Sequence, residues 1–515
     1  MPGNTIISVT PEIALEEGHT YAGGLGVLEG DKFYAAARLG LDYHVLSLLY
    51  RGGYVDYEFS ETGAPKPVVQ GQPKTFLEKL QKCCEIELTL KGQKVLAQGW
   101  SYVRGSARAI FFEPVEPDWA KGIVERVFIE KDSREKFLKY VFLARASAEY
   151  IKNVVGVDSV RYLDLQEAYT ALLPLTLSLP GRYRLIIHTP GSWGHPSFPR
   201  EFFEEEFGYK MIEDKIVLTT LGAIMSRELI MVSAKHYNVM RAVIPHLIDK
   251  ARFVTNGIEL ERWMHPTLRA RLHNGELNIK ALAQGKEEAR LELLRMINSR
   301  KPSRVNAETP IIVWARRITK YKRPYFVARL IEETDHDVFF VLGGKAHPDD
   351  KEGLEYMRQF KELEIKKPNV VYLHDYNVSN AKAVLAGGDL LLFTPFSGYE
   401  ASGTSFMKAA VNGTPSLASR DGAAVELIRE GVNGWLFGSD IRDLIDFGKD
   451  PRVPEIDARE YEELKAKLEK VLTLYSSDRE GFLNVGLNAI LTFAPQVDMT
   501  RVLREYYPDL VPSNS

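Results

Sequence analysis

The sequence predicts an α/β protein made of two Rossmann-like, doubly wound parallel-sheet domains, and three observations carry that prediction. Short apolar runs recur, as in Arg184-Leu-Ile-Ile, Pro310-Ile-Ile-Val-Trp314, residues 338–342, 370–373 and Leu390-Leu-Leu-Phe393; such runs read as strands buried on both faces. They alternate with segments of helical periodicity, the pattern of βαβ units. Turn-forming residues stand where the runs end, at His188-Thr-Pro-Gly, Thr394-Pro395 and Ser397-Gly398, the edge at which open α/β sheets bind ligands. A polar helical stretch over 266–304 marks the hand-over between halves. The expected domains are 1–250, with a glycine loop, and 251–515, with the last helices packing back on the first.

At 515 residues, 45% hydrophobic, 26% charged and a net charge of −3, the composition is that of a globular enzyme with ample core. The charge balance and the lack of a basic tail exclude nucleic acid as the main partner. No apolar run reaches the roughly 18 residues of a membrane span. The start, Met1-Pro-Gly-Asn-Thr-Ile-Ile, lacks a signal-peptide pattern, so a cytoplasmic protein is expected. The two cysteines are adjacent, Cys83-Cys84, a poor geometry for a structural disulfide and no zinc spacing; no metal is expected.

Along the chain, the first informative stretch is Glu16-Glu-Gly-His-Thr-Tyr-Ala-Gly-Gly-Leu-Gly-Val-Leu-Glu-Gly-Asp31. Gly23, Gly24 and Gly26 make either a tight turn or a loop whose amides an anion approaches closely. Residues 31–39 read as a helix and 43–49 as a strand. Residues 55–135 alternate short β patterns (85–90, 94–97, 109–112) with turns, and show no chemistry. Residues 136–154 have helical periodicity that buries Phe137, Tyr140, Val141, Leu143 and Ala144 together. Tyr162-Leu-Asp-Leu-Gln-Glu-Ala-Tyr169 runs from strand into helix, and the next strand ends at His188-Thr-Pro-Gly-Ser-Trp-Gly-His195. By themselves His188, His195 and His236 read as structural groups. Asn256 in Val254-Thr-Asn-Gly-Ile258 and Trp263 read as a turn residue and a core tryptophan.

The second half opens with Ala315-Arg-Arg-Ile-Thr-Lys-Tyr-Lys-Arg323 directly after an apolar strand. On a solvated face Arg316, Arg317, Lys320, Lys322 and Arg323 would be an ordinary charge run. At a sheet's C-terminal edge they offer planar forks and point charges to a phosphate. Then comes Glu400-Ala-Ser-Gly-Thr-Ser-Phe-Met-Lys408. A helix over 404–410, stopping near Asn412-Gly413-Thr414-Pro415, aims the N–H groups of Gly403 and Thr404 at a phosphate or a sugar hydroxyl. Lys408 follows Thr404 by one turn on the same face. A partly buried lysine there loses its proton readily and forms a Schiff base with an aldehyde cofactor; an exposed one is only a cation.

In their order and spacing over about residues 12–440, these motifs resemble the α-glucan (glycogen or maltodextrin) phosphorylases, in a short form. The resemblance implies a GT-B architecture, two Rossmann-like domains facing a central cleft. It implies reversible, retaining phosphorolysis of an α-1,4-glucan by inorganic phosphate to α-glucose 1-phosphate, dependent on pyridoxal 5′-phosphate. On that resemblance Lys408 carries the cofactor, with Thr404, Arg316, Gly24 and Trp263 around it. Arg317, Lys322 and His188 take the catalytic positions, the first two on substrate phosphate, which the Gly23-Gly24 loop covers. Glu167, Asn256, Tyr321, Glu400, Ser402 and Gly403 meet the sugar. Tyr169 stands where the family pattern has histidine, which leaves the sugar preference open. A chain that begins almost at the glycine loop is expected to lack the N-terminal region many members use for regulation and dimer contacts; homo-oligomerisation stays open. Two other readings stay open too: a nucleotide-sugar-dependent retaining glucosyltransferase, with Lys408 an incidental cation, and a non-catalytic carbohydrate-binding relative.

Overall fold

The computed structural model describes residues 3–303 and 305–512, and the chain divides into two units. Against an expected division at 250/251, the units meet in sequence between Thr255 and Asn256. Val55–Val68 counts with the second unit and the residues from Val502 on with the first.

The first unit is built on a nine-stranded sheet. Its spatial order is Ala251–Phe253, Glu228–Met231, Tyr183–Ile187, Val160–Gln166, Thr5–Val9, Tyr43–Leu48, Ala107–Glu116, Gln93–Arg104, Gln81–Leu90. All neighbours pair parallel through Ala107–Glu116, and the last two strands join antiparallel. The winding reverses between Thr5–Val9 and Val160–Gln166, a topological switch point. The short β patterns expected over 55–135 prove to be parts of much longer strands. An antiparallel strand with one wetted face carries polar residues at alternate positions, so its apolar pattern understates its length. The helix Gly24–Arg38 likewise starts well before residue 31, because glycines at its head mask the helical signal. The helix Ser133–Tyr150 buries Phe137, Tyr140, Val141, Leu143 and Ala144 as expected, and Asp132 caps it by accepting from the Glu135 N–H. Within the core Arg184 grips Asp164 at 2.7 and 2.8 Å and donates to the Tyr506 carbonyl at 2.6 Å.

The second unit holds a six-stranded sheet, parallel throughout. Its order is Val370–Leu373, Phe339–Gly343, Ile311–Ala315, Leu390–Phe393, Ser416–Ser419, Trp435–Phe437. The switch point lies between Ile311–Ala315 and Leu390–Phe393. Arg323 locks this edge. At φ +53° it heads the helix Pro324–Glu333, and its fully buried guanidinium donates to the Thr394 and Pro395 carbonyls and to Glu460 and Asp457. The polar stretch predicted over 266–304 forms the helices Pro266–His273 and Ile279–Asn298. The helices Val453–Ser477 and Arg479–Val497 complete the unit. Both units are therefore the doubly wound α/β sheets that the alternation predicted. Among the described residues no helix is long and apolar enough to cross a membrane.

Candidate active site

In the second unit, the two strands that flank the switch point deliver the predicted residues to one place. The strand Ile311–Ala315 runs out into Arg316, whose N–H donates to the Gly343 carbonyl at 2.9 Å. Gly344 makes that approach feasible: at φ +128° it lies so close that a Cβ would meet the Arg316 carbonyl oxygen at 1.9 Å. The Thr394 hydroxyl takes the Trp314 indole N–H at 2.9 Å and donates to the Lys322 carbonyl at 2.7 Å, tying the cationic turn to the neighbouring strand end.

The side chains then converge on Glu400. Its Oε2 accepts from Arg316 Nη2 at 2.7 Å and lies 3.5 Å from Lys322 Nζ. Burial opposes ionisation of Glu400, but Lys322, Arg316 and Arg317 outweigh it and hold the carboxyl below its usual range. Burial has the larger say at Lys322: it and the two arginines push the ammonium down to about 7, although Glu400 pulls the other way. Tyr321 is raised, chiefly by burial and then by Glu400, and its ring lies 5.6 Å from that of Tyr399. Arg317 is exposed, and its charge acts on all three.

Arg316 stacks 4.3 Å from the Phe393 ring. Its Nε and Nη1 are buried and meet no hydrogen-bond partner among the described residues; the same holds for Ser402 Oγ and Asn256 Oδ1. Buried donors are almost always satisfied, and a guanidinium with two unspent nitrogens beside a second cation suits an anion.

On the same segment, the short helix Ser405–Ala410 carries Lys408, 6% exposed. Its ammonium donates to Thr404 Oγ1 at 3.1 Å and sits 4.0 Å above the Trp263 ring. Gly403, at φ +75°, is held under Phe393, where a Cβ would approach the ring to 2.6 Å. Two residues with no role assigned from sequence organise this loop. Asn412, one turn beyond Lys408, donates to the Lys408 and Trp263 carbonyls at 2.8 and 2.9 Å. Asp421 accepts from the backbone N–H of Gly398, Tyr399 and Glu400. The i, i+4 spacing of Lys408 and Asn412 was a usable signal; nothing local pointed from Asp421 to the 398–400 turn.

The first unit places its candidates at its own switch point. Glu167, at φ +70°, follows the strand Val160–Gln166. Its Oε2 accepts the His188 N–H at 2.8 Å. Gln166 donates through Nε2 to Ser8, so its Oε1 faces His188 Nε2 at 2.8 Å and that nitrogen carries the proton. Burial first, then Lys32 and His236, keep His188 far below its usual range, so the ring is neutral. Tyr169 donates its hydroxyl to the Trp193 carbonyl at 3.1 Å and packs 4.7 Å from the Tyr140 ring. Gly23 precedes the helix Gly24–Arg38, and the N–H groups of Ala22 and Gly23 are taken by Glu12 at 2.5 and 3.2 Å. A Cβ on Gly23 or Gly24 would meet nothing within 4 Å. Packing thus does not demand these glycines, and the loop leaves open space for close approach.

Burial pushes Glu167 up to about 7, against 4.5 for an ordinary glutamate. Between those values the folded chain keeps a proton that the unfolded chain has lost. The protonated carboxyl's stabilising advantage is whole below 4.5 and disappears as the pH rises through 7, a loss on the order of 3 kcal/mol. Glu167→Gln keeps an oxygen for the His188 N–H and removes the titration. It is expected to flatten the fall in urea midpoint between pH 4.5 and 7.

Comparison with known proteins supplies the deciding observation: the carbohydrate phosphorylase family model matches residues 205–492. The chain belongs to the carbohydrate phosphorylase family. It is a glycosyl-transferring enzyme, and its relatives in the family include named phosphorylases. Maltodextrin phosphorylase of Thermococcus litoralis is 25% identical, over 94% of this chain and 68% of its own length. Glycogen phosphorylase of Aquifex aeolicus is 24% identical, over 84% and 76%. An uncharacterised protein of Methanocaldococcus jannaschii is 24% identical, over 79% of this chain and 82% of its own length. The phosphorylase match takes in the cationic turn, the Glu400–Lys408 segment, Asn256 and Trp263.

Proposed function

We propose that this phosphorylase cleaves an α-1,4-glucan with inorganic phosphate, reversibly and with retention, releasing α-glucose 1-phosphate with the help of pyridoxal 5′-phosphate. The observation that carries the reading is Arg316: two buried, unspent donor nitrogens beside Lys322 at the switch point of a Rossmann sheet. The residues fit the cofactor. Lys408 supplies a buried amine, Trp263 a ring face, and Thr404 and Arg316 donors for its phosphate. Pyridoxal phosphate, when bound, supplies a phosphate group whose second ionisation near pH ~6 suits proton exchange around neutrality.

The chain's own residues do the rest. Arg317 and Lys322 hold inorganic phosphate, and their charge stabilises the transition state as the glucosyl carbon becomes cationic and the departing oxygen gains charge. The bound phosphate gives its proton to the departing glucan oxygen and bonds to the anomeric carbon. Glu400 keeps Arg316 and Lys322 together. It also offers, with Ser402, Gly403, Asn256 and Tyr321, a polar wall for glucosyl hydroxyls. In the first unit, neutral His188 spends Nε2–H on Gln166 and so presents Nδ1 as an acceptor for a sugar hydroxyl; Glu167 fixes the His188 backbone. Gly23 and Gly24 are assigned close approach to phosphate groups, Gly24 to the cofactor's.

The test is product analysis. Maltodextrin with phosphate should yield glucose 1-phosphate, the α anomer by NMR. Glucose transfer from ADP- or UDP-glucose, without phosphorolysis, would give the protein to the nucleotide-sugar transferases. Tight glucan binding with no turnover would make it a binding protein.

Lys322 adds a pH signature. Its ammonium is charged below about 7 and lost above it, so the KM for phosphate is expected to rise about tenfold from pH 7 to 8.5. Phosphate's own ionisation to the dianion would act in the opposite direction. Glu400→Gln removes the anion that supports the ammonium and should move the rise to lower pH.

A further inference from the structure

The two cysteines lie outside the site described so far, on the edge strand of the first unit's sheet. In a regular strand neighbouring side chains point to opposite faces. The strand Gln81–Leu90 is bulged here: Lys82 pairs with Trp100 and Cys84 with Gly99, which leaves Cys83 as the extra residue. The bulge turns both thiols to one side, with the sulfurs 3.6 Å apart. Gly99 makes room for them. A Cβ at that position would come within 2.4 Å of Cys84 Sγ and 3.2 Å of Cys83 Sγ. Both cysteines are free, Cys83 exposed and Cys84 half-buried.

The spacing is that of a chelate. A disulfide needs about 2.05 Å between sulfurs, whereas two sulfurs bound at about 2.3 Å to one tetrahedral centre lie about 3.8 Å apart. A hydrogen bond from the Cys83 thiol, with the Gly99 N–H, holds Cys84 below the ordinary thiol range, while the same contact and burial raise Cys83, so Cys84 is the thiol that attacks first. No group of three or more histidine, cysteine or acidic side chains able to hold a metal occurs among the described residues. The pair therefore supplies two sulfurs and no third ligand, too few for a closed zinc site.

We propose that Cys83 and Cys84 form a chelating dithiol for a single bent thiophilic centre completed by two sulfurs, a monosubstituted trivalent arsenical. With phenylarsine oxide, two As–S bonds form and the As–O bond breaks. The oxygen leaves as water with the two thiol protons, and no atom changes oxidation state.

Intact-mass measurement on the reduced full chain tests this. Phenylarsine oxide should add once per chain, survive excess 2-mercaptoethanol and be released by dithiothreitol. Cys83→Ser and Cys84→Ser, each left with one thiol, should lose that resistance to the monothiol. Gly99→Ala keeps both thiols but drives a methyl between them, and should lose it as well, which separates the built geometry from mere adjacency in sequence. No adduct, equal resistance in either serine variant, or an unaltered Gly99→Ala protein would overturn the proposal.

Discussion

Lys408→Ala is expected to leave a folded protein with no bound pyridoxal chromophore and with phosphorolysis reduced at least about 10³-fold, within the range of losses seen when a central catalytic group is removed. The lysine is buried, its ammonium is positioned by Thr404 and the Trp263 ring, and Asn412 fastens both ends of that contact. Such an amine is placed to be held against a ring and a hydroxyl, an arrangement a mere surface cation does not need. Lys408→Arg sharpens the test, because it keeps the charge and discards the amine. If Lys408 anchors the cofactor, arginine fails as badly as alanine; if it is an electrostatic bystander, arginine restores most of the rate. In the unaltered protein, borohydride should fix the chromophore to the peptide that contains Lys408. Full activity in a cofactor-free Lys408→Ala protein would remove pyridoxal phosphate from the mechanism.

The largest effect on stability is expected at Arg323→Met. The side chain is fully buried and spends its donors on the Thr394 and Pro395 carbonyls and on Glu460 and Asp457. Glu460 is itself 1% exposed. Methionine fills much of the volume but strands that carboxylate and two carbonyls, and breaking a buried pair from one side costs about 3–5 kcal/mol. At roughly 2–4 °C per kcal/mol for a domain of this size, the melting transition of the second unit should fall on the order of 10 °C. Asp457→Asn, at a partly buried partner, keeps an oxygen for the Arg323 donor and should cost far less. Because Thr394 and Pro395 lead into the Glu400 loop, the Arg323 variant should also lose activity before it unfolds. A melting point unchanged within ~1 °C would show that the cluster carries no net stabilisation.

Much of this protein follows from local pattern. The runs at 311–315 and 390–393 are apolar throughout because parallel strands covered on both faces have no wet side, and so they were legible as strands and as the frame of the site. The alternation around them specified the doubly wound fold. Spacing placed Arg316 and Lys322 after the strand at 311–315, Glu400 after the strand at 390–393, and Lys408 in the following helix one turn from Thr404. Sequence also left its errors where pattern is ambiguous, in the antiparallel strands of residues 81–116 and the glycine-headed helix Gly24–Arg38.

What the tertiary structure alone decided are the pairings between residues far apart in the chain. Glu400 meets Arg316 across 84 residues, Asp421 holds the backbone at 398–400, Asn412 joins Lys408 to Trp263, and Gln166 fixes the proton on His188. Protonation belongs to the same class: Lys322 near 7 and Glu167 near 7 are consequences of desolvation and neighbouring charge. Periodicity and turn chemistry act over a few residues and can be read from the chain. Burial and Coulomb terms are sums over whatever the fold brings within a few ångströms, so they exist only once the chain has folded.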